Sequence, residues 1–246
     1  MEERSGRFYR FQHKPPGGAA WHCFEVRFQQ TDLWIRASRD CRDEAMDEVL
    51  SLRHGLDRYV AEHPAFLNSL VPLLDDPLAP RLVRRMLQAA RKAGVGPMAA
   101  VAGAIAQAVG ERLKAAGACS IVENGGDCFI HLNTPVRVGV YAGPHSPFKD
   151  RLVLSLEREI LPAAVCTSSR TIGHSLSLGQ ADAVTVLSRD GALADACATA
   201  AGNMVRTRDD VGRAAEWTQS LDGLLGTLII AGDRMAAWGA FEIHPA

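Results

Sequence analysis

The sequence predicts an α+β fold of antiparallel sheets covered by helices. Three observations lead there. Runs alternating apolar and polar residues cluster near the start and again after residue 117. Runs with a helical period lie between them. The two kinds are segregated, not strictly alternating, which argues against a doubly wound parallel sheet. With 246 residues, 47% of them hydrophobic, residues 1–246 suffice for one large core or for two intimately packed lobes.

The elements follow in order. Gly6–His13 and Cys23–Ala37 read as strands around the turn-forming Pro15-Pro16-Gly17-Gly18. Phe24, Val26 and Phe28 alternate with Glu25 and Arg27, the pattern of a half-exposed strand. From Arg42 to Glu62, Met46, Val49, Leu50, Leu56, Tyr59 and Val60 share a helical face that ends at His63-Pro64. A second helix is expected over Pro80–Lys92, its stripe formed by Leu82, Val83, Met86, Leu87 and Ala90. Arg81, Arg84, Arg85 and Arg91 lie mostly off that stripe and read as a solvated face. Gly96-Pro97 opens a third helix, Met98–Ala116, because proline suits a first helical turn. Its Ala99, Ala102, Gly103 and Ala106 let another element come close, and such small-residue faces hint at a homodimer. Beyond Gly117, strands are expected at Ser120–Glu123, Cys128–Leu132, Val136–Tyr141, Leu152–Leu156 and Ala181–Ser188. A helix over Leu193–Val205 and a hairpin of Leu224–Ala231 with Met235–Ile243 close the chain.

Composition narrows the function classes. A formal net charge of −1 offers no field to hold nucleic acid or an anionic membrane nonspecifically. Met1-Glu2-Glu3-Arg4 is polar and opens no signal peptide, so a cytoplasmic protein is expected. The most membrane-like stretch, Ala93–Gly110, falls short of the roughly 20 apolar residues a span needs and reads as a buried helix. Cys23, Cys41, Cys119, Cys128, Cys166 and Cys197 form no C-x-x-C pair; reduced, mostly buried thiols are expected.

Two motif matches fail on context. Gly94-Val95-Gly96-Pro97-Met98-Ala99 fits a loose dinucleotide pattern, but a helix precedes it instead of a strand. Gly173-His174-Ser175-Leu176-Ser177 lacks the final glycine of a nucleophile elbow.

Three segments carry candidate chemistry. In Glu123-Asn124-Gly125-Gly126-Asp127, two glycines let a ligand approach the main chain between the polar Asn124 and Asp127, although Asn-Gly equally marks a plain hairpin. Cys166-Thr167-Ser168-Ser169-Arg170-Thr171, followed by His174, concentrates hydroxyls and cations suited to phosphate or carboxylate oxygens, or else forms a polar loop. His174 is a candidate acid/base. Asp195 and Thr199 are four apart on a predicted helix, a carboxylate and a hydroxyl able to hold Mg²⁺. The competing reading leaves Asp195 as a residue favouring the helix N-terminus.

Together these segments resemble the ApbE-like superfamily, most closely its uncharacterised ApbE-like branch in anaerobic bacteria and archaea. Thr31-Asp32-Leu33, His63-Pro64-Ala65-Phe66, Gly94–Gly103, Glu123–Asp127, Cys166–Ser169, Gly173–Ser177 and Ala194–Thr199 carry the resemblance in order along nearly the whole chain. It implies a single T-fold-like domain. Its better-known relatives are Mg²⁺-dependent flavin transferases that move FMN from FAD to a protein threonine. By that resemblance Asn124, Gly125, Gly126, Asp127, Thr167, Ser168 and Ser169 border an FAD or FMN, Asp195 and Thr199 hold Mg²⁺, and His174 and Asp195 are catalytic. Ser169 stands where the relatives carry glycine, and Ala99–Gly110 holds neither the lysine nor the aspartate found there in transferases. The branch is also linked to sulfide use in homocysteine synthesis.

Three functions compete on these residues. The first is an enzyme acting on a phosphorylated or flavin-type molecule. The second is a noncatalytic binding protein that keeps the pocket. The third is a participant in sulfide assimilation using Cys166, which would need a lowered thiol pKa.

Overall fold

The computed structural model describes residues 21–143, 146–148, 152–169 and 179–245. The expected strand Gly6–His13, the Pro15–Gly18 turn, Arg170, Thr171 and the Gly173–Ser177 motif with His174 lie outside them. The alternation around Phe24 produces β1 (His22–Phe28), but the single strand expected over Cys23–Ala37 is a hairpin whose second arm is β2 (Thr31–Ala37). Its turn carries no glycine or proline. Gln29 takes φ 53°, and buried Arg53 from the next helix donates to the side-chain oxygens of both Gln29 and Gln30. A tertiary contact, invisible to local pattern, holds the turn.

Helix α1 (Arg42–Glu62) and the short α2 (Ala65–Asn68) lead through an irregular strap to α3 (Arg81–Ala93). The α3 stripe, Leu82, Val83, Met86, Leu87 and Ala90, is buried as expected. Burying each of the larger members contributes about 1.5–3 kcal/mol. Gly94, at φ 74°, ends α3 in the left-handed conformation that favours glycine. Pro97–Ala100 forms a 3-10 turn before α4 (Val101–Ala115), so the helix expected from Met98 starts one turn late. No single helix among the described residues is long and apolar enough to cross a membrane.

The remaining strands are β3 (Ser120–Asn124), β4 (Asp127–His131), β5 (Val136–Val140), β6 (Leu152–Leu156), β7 (Ala163–Ser168), β8 (Ala183–Ser188), β9 (Leu224–Ala231), β10 (Arg234–Gly239) and β11 (Glu242–Pro245). Helices α5 (Gly191–Met204) and α6 (Val211–Gln219) separate β8 from β9. One sheet has the order β1-β2-β3-β4-β7-β8-β9-β10 and a second β11-β6-β5, every pairing being antiparallel.

Strand alternation sorts the core onto two faces of the large sheet. Phe129, Ala164, Cys166, Val184, Val186 and Ile229 pack with the helices. Their neighbours Ile130, Ala163, Val165 and Leu187 meet Leu156 of the small sheet, and Ala183, Leu228 and Ile230 meet Val140 and Leu154. A central strand covered on both sides shows no buried-exposed alternation: Ala183–Ser188 is buried throughout, polar Thr185 and Ser188 included. The closing strand expected over Met235–Ile243 is split. Gly239 lies against Gly226 with φ 127°, and the chain then leaves β10 to pair β11 with β6 in the small sheet. The antiparallel sheets and covering helices of the expected fold class are present.

Candidate functional site

The doubled glycine makes a two-residue turn between β3 and β4. Gly125 and Gly126 have φ of 69° and 107°, and nothing lies within 4 Å of where a Cβ would stand on either. Positive φ at both central residues is the geometry a tight antiparallel hairpin requires. The Gly126 N–H donates to Oε1 of buried Glu123 at 2.7 Å, which steadies the turn from within. The turn is thus the hairpin the bland reading expects, and it is also open to a ligand.

Asn124 and Asp127 leave this turn toward the helices. The Asn124 amide donates to the Ala102 carbonyl at 3.1 Å, tying the strand to the start of α4. Asp127, 7% exposed, accepts from the Thr167 N–H at 3.0 Å. The expected hydroxyl loop is therefore in part a strand: Cys166, Thr167 and Ser168 belong to β7, paired with Val186, Thr185 and Val184 of β8. Strand alternation then decides what each offers. Thr167 gives Asp127 its N–H, while its hydroxyl bonds that of Thr185 at 2.9 Å. The Ser169 hydroxyl donates to the Asp182 carbonyl at 2.7 Å. Two of the three hydroxyls expected to meet a ligand thus have partners within the protein, and Ser168 stays half-buried at the strand end.

Asp195 enters from α5, whose first turn is capped by Asp190 accepting from the Leu193 N–H at 3.2 Å. Its Oδ2 accepts from the Gly103 N–H at 2.9 Å. That bond needs α4 and α5 nearly in contact. A Cβ on Gly103 would stand 2.2 Å from the Gly191 carbonyl oxygen and 2.8 Å from Asp195 Cβ. The small residues read as an approach surface do serve as one, inside the chain. Thr199 lies one helical turn beyond Asp195 and is half-buried.

The Asp195 carboxylate bears on Asp127. Burial raises the Asp127 carboxyl well above its ordinary value, and the Asp195 charge raises it further. Burial also pushes Asp195 up to about 7, against the lowering by the N–H groups of Gly103 and Ala102. Among the described residues no lysine, arginine or histidine pairs with either carboxyl. Nor do three or more His, Cys, Asp or Glu side chains there form a metal cluster. A cation at this point would have at most these two carboxylates, with neutral oxygens such as Thr199 and the ligand's own. That donor set fits Mg²⁺, which keeps waters and substrate phosphates.

Cys166 does not meet the needs of a reactive thiol. It is buried, its S–H donates to the Gly191 carbonyl at 3.6 Å, and burial with the Asp127 and Asp195 charges pushes its pKa well up. A nucleophilic thiolate needs the opposite surroundings.

Asn124, Asp127, the Thr167 backbone and Asp195 therefore converge, while His174 lies outside the described residues. Sequence reasoning missed Gln107, the one buried polar side chain of α4. It accepts from the Gly191 N–H at 2.7 Å and donates to Glu111 at 2.8 Å and the Arg189 carbonyl at 3.3 Å. Its signal was a lone amide among small apolar residues. Glu123 gave no signal beyond its place beside the glycines.

Comparison with known proteins bears on the fold and the family. The fold is similar to that of the flavinyl transferase ApbE of Pseudomonas stutzeri in its apo form, with a TM-score of 0.58 at 14% identity over 89% of this chain and 94% of that one. It is equally similar to the ApbE protein of Thermotoga maritima, with a TM-score of 0.58 at 15% identity over 88% and 96%. At such identities the likeness is one of fold. In sequence, the chain is 44% identical to the UPF0280 protein of Methanothrix thermoacetophila over 227 residues, 89% of this chain and 92% of the relative. It is 39% identical to that of Methanocella arvoryzae over 216 residues, 87% of each. The family model described as AbpE bacteria matches residues 15–235. The chain therefore belongs to that ApbE-like family, in the branch that includes the archaeal UPF0280 proteins.

Proposed function

We propose that this protein binds a phosphorylated, flavin-type small molecule, FAD or FMN, together with Mg²⁺, as a divergent transferase. The observation that carries the reading is the pair of carboxyls, Asp127 and Asp195, brought from a strand and a helix to one place beside an open glycine turn. Two buried acids with raised pKa values and no basic partner among the described residues are a site that a divalent cation would relieve. Asp195 with Thr199 would hold the ion, and Asn124, Gly125, Gly126 and Asp127 would border the ligand. Mg²⁺ would supply charge neutralisation at phosphate oxygens. The protein's own part is to keep Asp195 in place through Gly103 and to present free main chain at the turn. His174 remains the proposed acid/base and Asp195 the second catalytic group. The ApbE fold shared with flavin transferases supports this reading.

A noncatalytic ligand-binding protein is the second reading. It is favoured by the closed contact of Gly103 with Gly191 on the stretch Ala99–Gly110, which lacks the transferase lysine and aspartate. A part in sulfide assimilation gains no support from Cys166.

Calorimetry and the absorbance spectrum of purified protein with FAD and Mg²⁺ test the proposal. Mg²⁺-dependent binding is expected, and Asp195→Asn should weaken it at least about tenfold, a loss of about 1.4 kcal/mol. Equal affinity in that variant removes the metal role, and an unperturbed flavin spectrum with no binding heat removes the ligand. Transfer of FMN to a threonine-bearing acceptor separates the two readings.

A further inference from the structure

The strap between α2 and α3 inverts the usual placement of side chains. Its polar residues are tied down, Leu73 and Ala79 turn to the core, and Leu70, Val71, Leu74 and Leu78 face water. The Ser69 carbonyl lies so close to Gly96 that a Cβ there would stand 1.7 Å from it. The Ser69 hydroxyl donates to the Val71 carbonyl at 2.6 Å. Asp76 accepts from the Tyr59 hydroxyl at 3.1 Å and from the Leu78 N–H at 2.9 Å, and Asp75 pairs with Arg91 of α3. Meanwhile Leu70 and Val71 are about two-thirds exposed, and Leu74 and Leu78 are 92% and 95% exposed. With Leu67 they present on the order of 600 Å² of apolar side chain along one short stretch of the chain.

The geometry points to this strap as the centre of a two-fold interface between two copies of the chain. Shape favours a second copy. Leu74 and Leu78 are almost fully exposed, and Leu74 with Pro72, Leu73 and Arg91 borders a shallow open hollow of about 480 Å³. A two-fold axis close to Leu74 brings the exposed leucines of one copy against this hollow in the other. Charge favours it as well. Asp75, which pairs with Arg91 in its own chain, and Lys92 of α3 border the strap, so a two-fold axis can set Asp75 of one copy opposite Lys92 of the other. Area is sufficient: the apolar centre supplies most of the roughly 800 Å² that each partner buries in a standard interface, and the charged border can supply the rest. Because the strap is already pinned, little ordering entropy opposes association. This interface replaces the small-residue faces as the basis for a dimer, since those faces are used between α4 and α5. The inference does not depend on the ligand proposed above.

Sedimentation velocity of the full chain over a micromolar concentration series tests it. The expected result is twice the monomer mass for the wild type. Leu74→Glu and Leu78→Glu should each raise the dimer dissociation constant at least roughly 100-fold, with circular dichroism and melting temperature of the monomer unchanged. Leu74→Ser serves as a milder variant should either glutamate disturb folding. A wild type that stays monomeric across the series, or a dimer indifferent to all three substitutions, overturns the proposal.

Discussion

The candidate site has two glycine-bearing walls that use the residue for opposite reasons. At the α4–α5 wall, Gly103 is required because there is no space: any Cβ runs into main chain of Gly191. At the β3–β4 wall, Gly125 and Gly126 are required because of backbone angle, and the space above them is empty. The first wall is built for contact within the protein, the second for approach from outside. The difference teaches that glycine at a site is not one signal. Its meaning depends on whether φ or neighbouring atoms exclude a side chain.

Three substitutions sharpen that contrast. The largest effect is expected from Gly103→Ala. Its new methyl meets backbone, which cannot swing aside, so α5 must shift and stability should fall by about 3 kcal/mol or more. Urea unfolding measures it, and a loss below that of Gly125→Ala would mean the two walls are not distinct.

The next effect is a pH dependence from the carboxyl pair. Asp195 has a folded pKa near 7, against 3.8 for the ordinary group. A raised carboxyl favours the folded state while protonated. That contribution is fully present below the ordinary value and is lost as pH rises through about 7. Wild-type stability from this source should therefore drop by about 3–4 kcal/mol between pH 4 and pH 8. Asp195→Asn, which can still accept from the Gly103 N–H, should lessen the pH dependence to the part that buried Asp127 contributes and be the more stable form at pH 8. Equal slopes for the two proteins would show that titration of Asp195 is not linked to folding.

The smallest stability effect belongs to Gly125→Ala, about 1 kcal/mol for a left-handed alanine with nothing to strike. Its ligand affinity should fall out of proportion to that cost, since the methyl occupies the surface a ligand would use. A variant that binds FAD as well as wild type would place the ligand away from the turn.

Much of the fold was legible because periodicity reports burial. The α3 stripe and strands Leu152–Leu156 and Leu224–Ala231 stand where their patterns put them. Three features were not legible, each for a physical reason. The Gln29-Gln30 turn is imposed by Arg53 from another element. Strand β7 ends in Thr167 and Ser168, hydroxyl residues that mimic a loop while pairing with β8. The last strand divides at Gly239, where contact with Gly226 sets the chain's exit from the large sheet. At the candidate site, the glycine turn and Asp195 were readable as candidates only, each with a purely structural alternative. The direction of each hydroxyl was not, because Thr167 and Ser169 are claimed by partners far away in sequence.

Gln107 reaches across from α4 to grip both the Arg189 carbonyl and the Gly191 N–H with one amide group. Such a two-pronged grip fixes the depth and the rotation of α5 at once, so the two helices must travel as a single block. Any breathing that admits a bulky guest then falls to the opposite wall of the site. A spin-label pair bridging α4 and α5 would keep one distance with and without guest, while a pair reaching to Gly125 would not.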